Sequence, residues 1–159
     1  MIQIRQAVPT DAAAIEQLHV AAYKSSYRGY LPDNFLDNLQ VLPEKVSQIE
    51  NAIARHHKFT IAVENEKIVA FASVGNLNDF EFEIISLYTA PNRQKQGIGS
   101  LLVHDICQRK KAAGFGKCIV WTIKEGPSIG FYTKMGFIST SKEKTWKFGI
   151  PIVMLEKSI

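Results

Sequence analysis

Gln94-Lys95-Gln96-Gly97-Ile98-Gly99 is the stretch that decides the fold, because it separates a strand-like pattern from a helical one. The first N–H groups of a helix have no intrahelical acceptor, and the helix dipole adds positive potential there. Glycine lets the backbone approach an oxyanion closely. The segment therefore predicts a turn that binds a diphosphate. A plain strand-to-helix turn, in which the glycines meet only steric needs, is the alternative reading of the same residues.

Two well-known diphosphate motifs fit this segment poorly. A P-loop needs Gly-Lys followed by Ser or Thr after its spacer, whereas Ser100 and Leu101 follow Gly99 directly. A dinucleotide fingerprint needs a third glycine where Leu102 stands, although Glu125 could imitate its ribose-binding acid. The P-loop is excluded, and the dinucleotide site survives only weakly.

Outward from this turn, the hydrophobic pattern predicts an α/β (α+β) fold with a mixed sheet and helices on both faces. Residues 1–159 give one domain, since the length lies below the size at which cores divide. A helix is predicted after Thr10-Asp11, which can cap it. Further helices are predicted from Pro32, from Pro43, from Gly97 to Gly114 with Ile98, Leu101, Leu102 and Ile106 inward, and from Pro127 to Met135. Strands are predicted at 2–5, 59–63, 68–74, 80–89, 118–123, 137–138 and 150–155, with a tight turn at Asn65-Glu66.

The composition limits the ligand and the compartment. A net charge of +4 favours anionic ligands, but no basic run occurs, so nucleic-acid binding is a weak reading. No apolar run reaches the roughly 18 residues of a membrane span, and no secretory signal opens the sequence. We expect a cytoplasmic protein without a membrane or metal site. Cys107 and Cys118 are expected to be buried thiols rather than a disulfide.

A second motif completes a family resemblance. Gln94, Gly97 and Gly99 match the Gln/Arg-x-x-Gly-x-Gly/Ala signature of the GCN5-related N-acetyltransferase (GNAT) family. The later segment 131–137, Phe-Tyr-Thr-Lys-Met-Gly-Phe, is similar to that family's Phe-Tyr-x-x-x-Gly-Phe. The two motifs follow in the family's order, and the order of elements resembles the family over essentially the whole chain.

The resemblance implies a splayed sheet of the acyl-CoA N-acyltransferase type that holds acetyl-coenzyme A as co-substrate. Backbone amides of the turn would bind the pyrophosphate, and the strand before it would pair with the pantetheine arm. The implied cofactor-binding residues are Leu87, Tyr88, Thr89, Gln94, Lys95, Gln96, Gly97, Ile98, Gly99 and Ser100.

Two residues are candidates for the chemistry. Tyr132 would supply a proton to the thiolate leaving group, unless it is only a packed aromatic. Glu83 would accept the proton of the amine, unless it is an ordinary exposed glutamate. Strict alternation places Glu83 on the face of Leu87 and Thr89, which leads toward the turn. We expect no metal ligand in the reaction.

Other side chains divide into substrate-binding candidates and background. Tyr27, Arg28 and Tyr30 could shape the acceptor site, although packing of the tyrosines and solvation of the arginine explain them equally well. The four histidines show no acidic partner, and Lys110-Lys111 is interpreted as a solvated helix face.

Three functions follow in order of support. The first is an N-acetyltransferase that moves an acetyl group to a primary amine of a small molecule or peptide by direct attack. The second is an acetyl-coenzyme A-binding sensor or partner subunit without turnover, and the third is a nucleotide-dependent oxidoreductase. Departures from the family pattern occur at Lys95, Glu125 and Ser128, where glycine, asparagine and alanine are frequent. The oligomeric state stays open: dimers are common in the family, and strand 150–155 could pair across a homodimer.

Overall fold

The computed structural model describes residues 1–159, which form seven strands and five helices. The strands are β1 (Gln3–Gln6), β2 (Phe59–Glu64), β3 (Lys67–Asn76), β4 (Glu81–Thr89), β5 (Lys117–Ile123), β6 (Ile138–Thr145) and β7 (Pro151–Ser158). The helices are α1 (Ala12–Ser26), α2 (Asp33–Asp37), α3 (Pro43–His56), α4 (Ile98–Ala112) and α5 (Ser128–Lys134). None of these helices combines the length and the apolar character that crossing a bilayer requires.

The strands form one sheet in the order β1-β2-β3-β4-β5-β7-β6. β4 and β5 pair in parallel, whereas the pairs β1–β2, β2–β3, β5–β7 and β6–β7 are antiparallel. The mixed α/β (α+β) fold predicted from the sequence is therefore confirmed. The predicted hairpin at Asn65-Glu66 is also present, and both residues have the positive φ, 50° and 65°, of a two-residue type I′ turn.

The residues group into two compact units. Unit 1 contains residues 1–73 and 86–105, and unit 2 contains residues 74–85 and 106–159, so β3, β4 and α4 contribute to both. One domain over 1–159 thus stays a prediction.

Unit 1 covers both faces of its strands with helices. Residues that pair between β2 and β3 share a face, so Ile61–Phe71 and Ala62–Ala70 point to opposite sides. On one side α1 and α3 pack in a cluster that includes Ile15, Ile53, Ile61 and Phe71. On the other side the first turns of α4 pack in a cluster that includes Ala62, Ala70, Ile98 and Leu102.

Unit 2 is built on β5, β7 and β6, with the first residues of β4 beside β5. Its best-buried side chains include Phe82, Ile106, Val120, Phe137 and Leu155. Cys107 and Cys118 are buried thiols, as predicted.

The role expected for strand 150–155 is wrong. β7 lies between β5 and β6 and pairs with both of them, for example Val120↔Leu155 on one side and Ser139↔Leu155 on the other. Its backbone donors and acceptors are thus used within the chain, and it is not an edge that a second copy could extend. A homodimer would need another surface.

Two local predictions also need correction. Leu101 is 48% exposed, whereas Val103 is fully buried. At 100° per residue Leu101 lies about 140° around the helix from Ile106, which is near the centre of the buried stripe. The carboxylate of Asp11 makes no side-chain cap for α1. It accepts hydrogen bonds from Arg5 at 2.8 and 3.1 Å and from the Val8 amide at 2.8 Å.

Candidate functional site

The turn before α4 has the backbone shape that its glycines predicted. Pro91–Arg93 form a short 3₁₀ turn, Lys95 and Gly97 have φ of 62° and 80°, and α4 begins at Ile98. The first helical bond in the turn runs from the Leu101 amide to the Gly97 carbonyl at 3.1 Å. The amides of residues 98–100 therefore have no intrahelical acceptor, which is the arrangement that binds anions.

Arg93 fixes this turn from outside. Its guanidinium bonds Gln96 at 2.9 Å and forms an ion pair with Glu64 at the end of β2. The guanidinium lowers the pKa of the Glu64 carboxyl through this hydrogen bond. Arg93 is thus held within the chain, whereas Lys95, the other cation of the turn, is exposed.

β4 contains a one-residue bulge that strict alternation could not show. At one end of the β3–β4 hairpin the Leu77 amide donates to the Glu81 carbonyl, and at the other the Ala90 amide donates to the Val69 carbonyl, each at 2.9 Å. In a regular antiparallel pair of strands, the two residue numbers of every hydrogen-bonded pair add up to the same total. The total differs by one between the two ends of this hairpin, so one strand contains an extra residue.

Side-chain contacts locate the extra residue. Ser86 Oγ lies 2.5 Å from Ser73 Oγ. A Cβ placed on Gly75 would lie 3.0 Å from Ile85 Cδ1. Ser73 and Gly75 share a face of β3 by alternation, so the consecutive residues Ile85 and Ser86 both point to that face.

The bulge corrects the predicted surroundings of Glu83. By alternation before the bulge, Glu83 shares its face with Ile85, and by alternation after it, Tyr88 shares the face of Ser86. Leu87 points to the opposite face, where it packs on the cluster that contains Ile98 and Leu102. Glu83 and Leu87 are thus on different faces, and the prediction that they share one is wrong.

Glu83 and Glu81 differ in their environments although they alternate on one strand. Glu81 receives hydrogen bonds from Asn78 and Lys117, which lower the pKa of its carboxyl. Glu83 is half-buried, and burial raises the pKa of its carboxyl while the charge of Lys144 opposes the shift less strongly. Of the two, Glu83 is therefore the carboxylate whose surroundings make it the stronger base.

Tyr132 lies on α5 with only 8% of its surface exposed. Its ring makes edge contacts with Phe131 and Phe137, at centroid distances of 5.0 and 5.3 Å. The helix ends through Gly136, whose φ of 94° is the left-handed conformation of a helix C-terminus. The amide of Phe137 then donates to the Tyr132 carbonyl at 3.0 Å. The second motif is therefore a helix end that fixes one tyrosine between two phenylalanines.

Comparisons with known proteins agree with this geometry. The model of the acetyltransferase (GNAT) family matches residues 12–137. The chain belongs to the GNAT family. YuaI, an N-acetyltransferase of Bacillus subtilis, is 27% identical over 139 residues, which cover 83% of this chain and 78% of YuaI. This GNAT acetyltransferase is thus an acetyl-coenzyme A-dependent N-acetyltransferase, as the sequence predicted.

Solved structures confirm the fold. PaiA N-acetyltransferase from Thermoplasma acidophilum, in complex with coenzyme A, has a TM-score of 0.82 and 20% identity, with 100% of this chain and 99% of that one covered. YncA from Salmonella typhimurium, with its cofactor acetyl-CoA, has a TM-score of 0.74 and 20% identity, with 99% and 93% covered.

The turn of this GNAT acetyltransferase combines open space with groups that carry positive potential. A Cβ on Gly97 would meet no atom within 4 Å, so the space beside this backbone is open. The turn therefore brings together three amides without an intrahelical acceptor, the positive end of a 15-residue helix and the exposed Lys95.

The three residues predicted to bind the acceptor differ in their contacts and in their exposure. The hydroxyl of Tyr27 lies 3.2 Å from that of Tyr88, which links one predicted acceptor residue to one predicted cofactor residue. Arg28 instead bonds Asp33 at 3.3 Å and Asp37 at 3.0 Å. Tyr30 is 40% exposed.

Sequence reasoning missed two polar features of the acetyltransferase. Nδ1 of His19 lies 2.9 Å from Oε1 of the buried Glu16, although no acidic partner was expected for any histidine. The Glu16-x-x-His19 spacing on a helix was the available signal. Lys110 is not part of a solvated face, because its ammonium bonds Asn76 at 2.6 Å and lies 4.6 Å from the Phe115 ring centroid.

Proposed function

We propose that this N-acetyltransferase acetylates a primary amine of a small molecule or peptide by direct attack, without a covalent acyl-enzyme. Acetyl-coenzyme A supplies the acetyl thioester. The turn at Gln94–Ser100 binds its pyrophosphate, and the backbone of Leu87–Thr89 pairs with its pantetheine arm.

Glu83 and Tyr132 handle the two protons of the reaction. Glu83 takes a proton from the attacking nitrogen, directly or through one water, while the nitrogen forms its bond to the acetyl carbon. When the carbon–sulfur bond breaks, the phenol of Tyr132 gives its proton to the sulfur. The proton balance closes when the Tyr132 phenolate is reprotonated from Glu83 by way of solvent.

The observation that carries the proposal is the environment of Glu83. It is a half-buried carboxylate with a raised pKa, two positions from a carboxylate that Lys117 and Asn78 hold in the ordinary ionised state. A base works best when its pKa lies near the working pH, and burial moves Glu83 in that direction.

The experiment is a thiol-release assay with a panel of primary amines and matched variants. Glu83→Gln is expected to lower kcat by about 100-fold or more, and Glu81→Gln is the control that keeps near wild-type turnover. Activity of the wild type rises with pH through the pKa of Glu83, because only the ionised carboxylate accepts a proton. Glu83→Gln should lose this rise.

Tyr132→Phe is expected to lower kcat by about 100-fold with the affinity for acetyl-coenzyme A unchanged, since only the hydroxyl is removed. Full turnover of either variant would overturn its assigned role. Acetyl-coenzyme A binding in calorimetry with no thiol release from any amine would favour the sensor over the enzyme that transfers to amines.

A further inference from the structure

Unit 1 contains a carboxylate–imidazole pair that the proposed chemistry does not use. Glu16 and His19 lie one turn apart on α1, with Oε1 and Nδ1 2.9 Å apart. Glu16 is only 2% exposed, which is rare for a glutamate unless a partner stabilises it. The imidazole is that partner.

The contact between Glu16 and Nδ1 of His19 leaves Nε2 as the imidazole nitrogen that faces outward. In the neutral imidazole, the tautomer that donates from Nδ1 to the carboxylate has its acceptor lone pair on Nε2. The other contacts of His19 are with aromatic rings. No buried side-chain nitrogen or oxygen lacks a hydrogen bond, so Nε2, which has no partner in the chain, reaches solvent.

Aromatic rings enclose this acceptor. The ring centroids of Tyr88, Tyr23 and Phe71 lie 5.2, 5.5 and 6.0 Å from that of His19. Tyr27 packs on Tyr23 at 4.5 Å and meets Tyr88 through the two hydroxyls. Burial raises the pKa of Tyr23 to about 12, so its hydroxyl stays neutral. Such walls favour an ammonium group by cation–π attraction and bury an apolar stem.

The cluster is beside the strand segment assigned to the cofactor. Tyr88 is the middle residue of Leu87–Thr89, and its ring points to the face covered by α1, opposite to Leu87. An acceptor held at His19 would thus lie next to the backbone proposed to bind the pantetheine arm.

The charges of the cluster disfavour amines that also carry a carboxylate. Its members are one buried carboxylate, one imidazole and aromatic rings, so the cluster contains no lysine or arginine that could pair with a carboxylate on the substrate. Arg28, the residue after Tyr27, is bound to Asp33 and Asp37. A carboxylate placed here would be desolvated without a partner, which is strongly unfavourable.

We infer that the cluster of Glu16, His19, Tyr23, Tyr27 and Tyr88 binds the acceptor, and that the acceptor is a primary amine on an apolar or aromatic stem without an adjacent carboxylate. This inference rests on the proposed transfer to an amine. His19 Nε2 accepts a hydrogen bond from the ammonium group, Glu16 holds the imidazole in place, and the tyrosines enclose the stem.

The test compares 2-phenylethylamine with phenylalanine, which differ by the carboxylate. With the full chain, kcat/KM for 2-phenylethylamine is expected to exceed that for phenylalanine by at least about tenfold. His19→Gln is expected to raise the KM of the amine by about tenfold with the KM of acetyl-coenzyme A unchanged, because a charge-assisted hydrogen bond is lost. His104→Gln, on the exposed side of α4, is the matched control with unchanged constants.

Calorimetry of 2-phenylethylamine, with and without coenzyme A, separates this inference from the proposed function. Absence of thiol release would count against transfer to amines, whereas amine binding that weakens about tenfold in His19→Gln would still support the cluster. Tyr27→Phe removes one hydroxyl with little effect on packing and should also weaken amine binding. Equal amine affinity in the wild type and both variants, no amine binding, or a preference for phenylalanine would overturn the inference.

Discussion

Lys95 and Glu125 depart from the family pattern, and both have a backbone conformation that is unfavourable for their residue type. Both have positive φ, 62° and 60°, at positions where the family often has glycine and asparagine. Glycine adopts this left-handed conformation freely, and asparagine does so more readily than most residues. Glycine or asparagine would therefore adopt the backbone conformation at these two positions with less strain than lysine or glutamate.

Replacement of Glu125 by asparagine tests this at one residue. Glu125→Asn is expected to raise the free energy of unfolding by about 0.5–1 kcal/mol, because the left-handed conformation disfavours glutamate by roughly that amount more than asparagine. Urea unfolding measures the change. Glu50→Asn, in the middle of α3, should have the opposite sign because asparagine has the lower helix propensity. A destabilised Glu125→Asn protein would show that the glutamate side chain makes a compensating contact.

At the scale of elements, the junction of the 91–97 turn with α4 depends on the conformation of one residue, Gly97. Gly97 is required by its φ of 80° and not by crowding, since an added Cβ would meet nothing within 4 Å. A substitution there changes the path of the backbone, and with it the direction of the free amides at 98–100.

Gly97→Ala is therefore expected to weaken acetyl-coenzyme A binding by about tenfold, as measured by calorimetry, since the turn must distort or carry about 1–2 kcal/mol of strain. Gly130→Ala is the control, because this glycine also has open space but lies in α5 without a positive φ. The control should bind acetyl-coenzyme A like the wild type. Equal affinities in both variants would remove the turn from the binding site.

The elements also show which features the sequence could predict. The 94–99 turn, the Asn65-Glu66 hairpin and the helix start at Pro43 depend on neighbouring residues, and all three are present. The bulge at Ile85/Ser86 leaves no local mark, because both residues suit a regular strand.

Features that depend on tertiary contacts were also hard to predict from the sequence. Glu16 and His19 have a visible spacing, but only the burial of Glu16 identifies them as a pair. The apolar character of Leu101 predicts an inward position, whereas the packing surface of α4 is centred on Ile106. Sequence patterns therefore predicted the backbone of the 94–99 turn better than the packing of side chains in the fold.

For the whole molecule, Glu83 sets the requirements of catalysis against those of stability. Its pKa in the folded state is raised, so the folded chain binds this proton more tightly than the unfolded chain does. Stability therefore falls as pH rises from the ordinary glutamate pKa, about 4.3, through the folded value. Above that range the ionised, half-buried carboxylate destabilises the fold.

Glu83→Gln should consequently unfold at a higher temperature than the wild type at pH 7.5, while it loses activity. The difference in Tm is expected to shrink toward pH 4, where the wild-type carboxyl is mostly protonated in both states. Thermal unfolding at the two pH values measures it, with Glu81→Gln as the control that gains no stability. A Glu83→Gln protein less stable than the wild type at pH 7.5 would contradict the raised pKa.

The position of β7 between β5 and β6 also affects the order in which the protein can form during synthesis. β6 leaves the ribosome before β7, yet all of its pairing in the sheet is with β7. Residues 138–145 must therefore wait, with their backbone groups solvated, until residues 151–158 have been made and inserted beside β5. Unit 1 ends at residue 105, so all of its residues have been synthesised before those of β6 and β7.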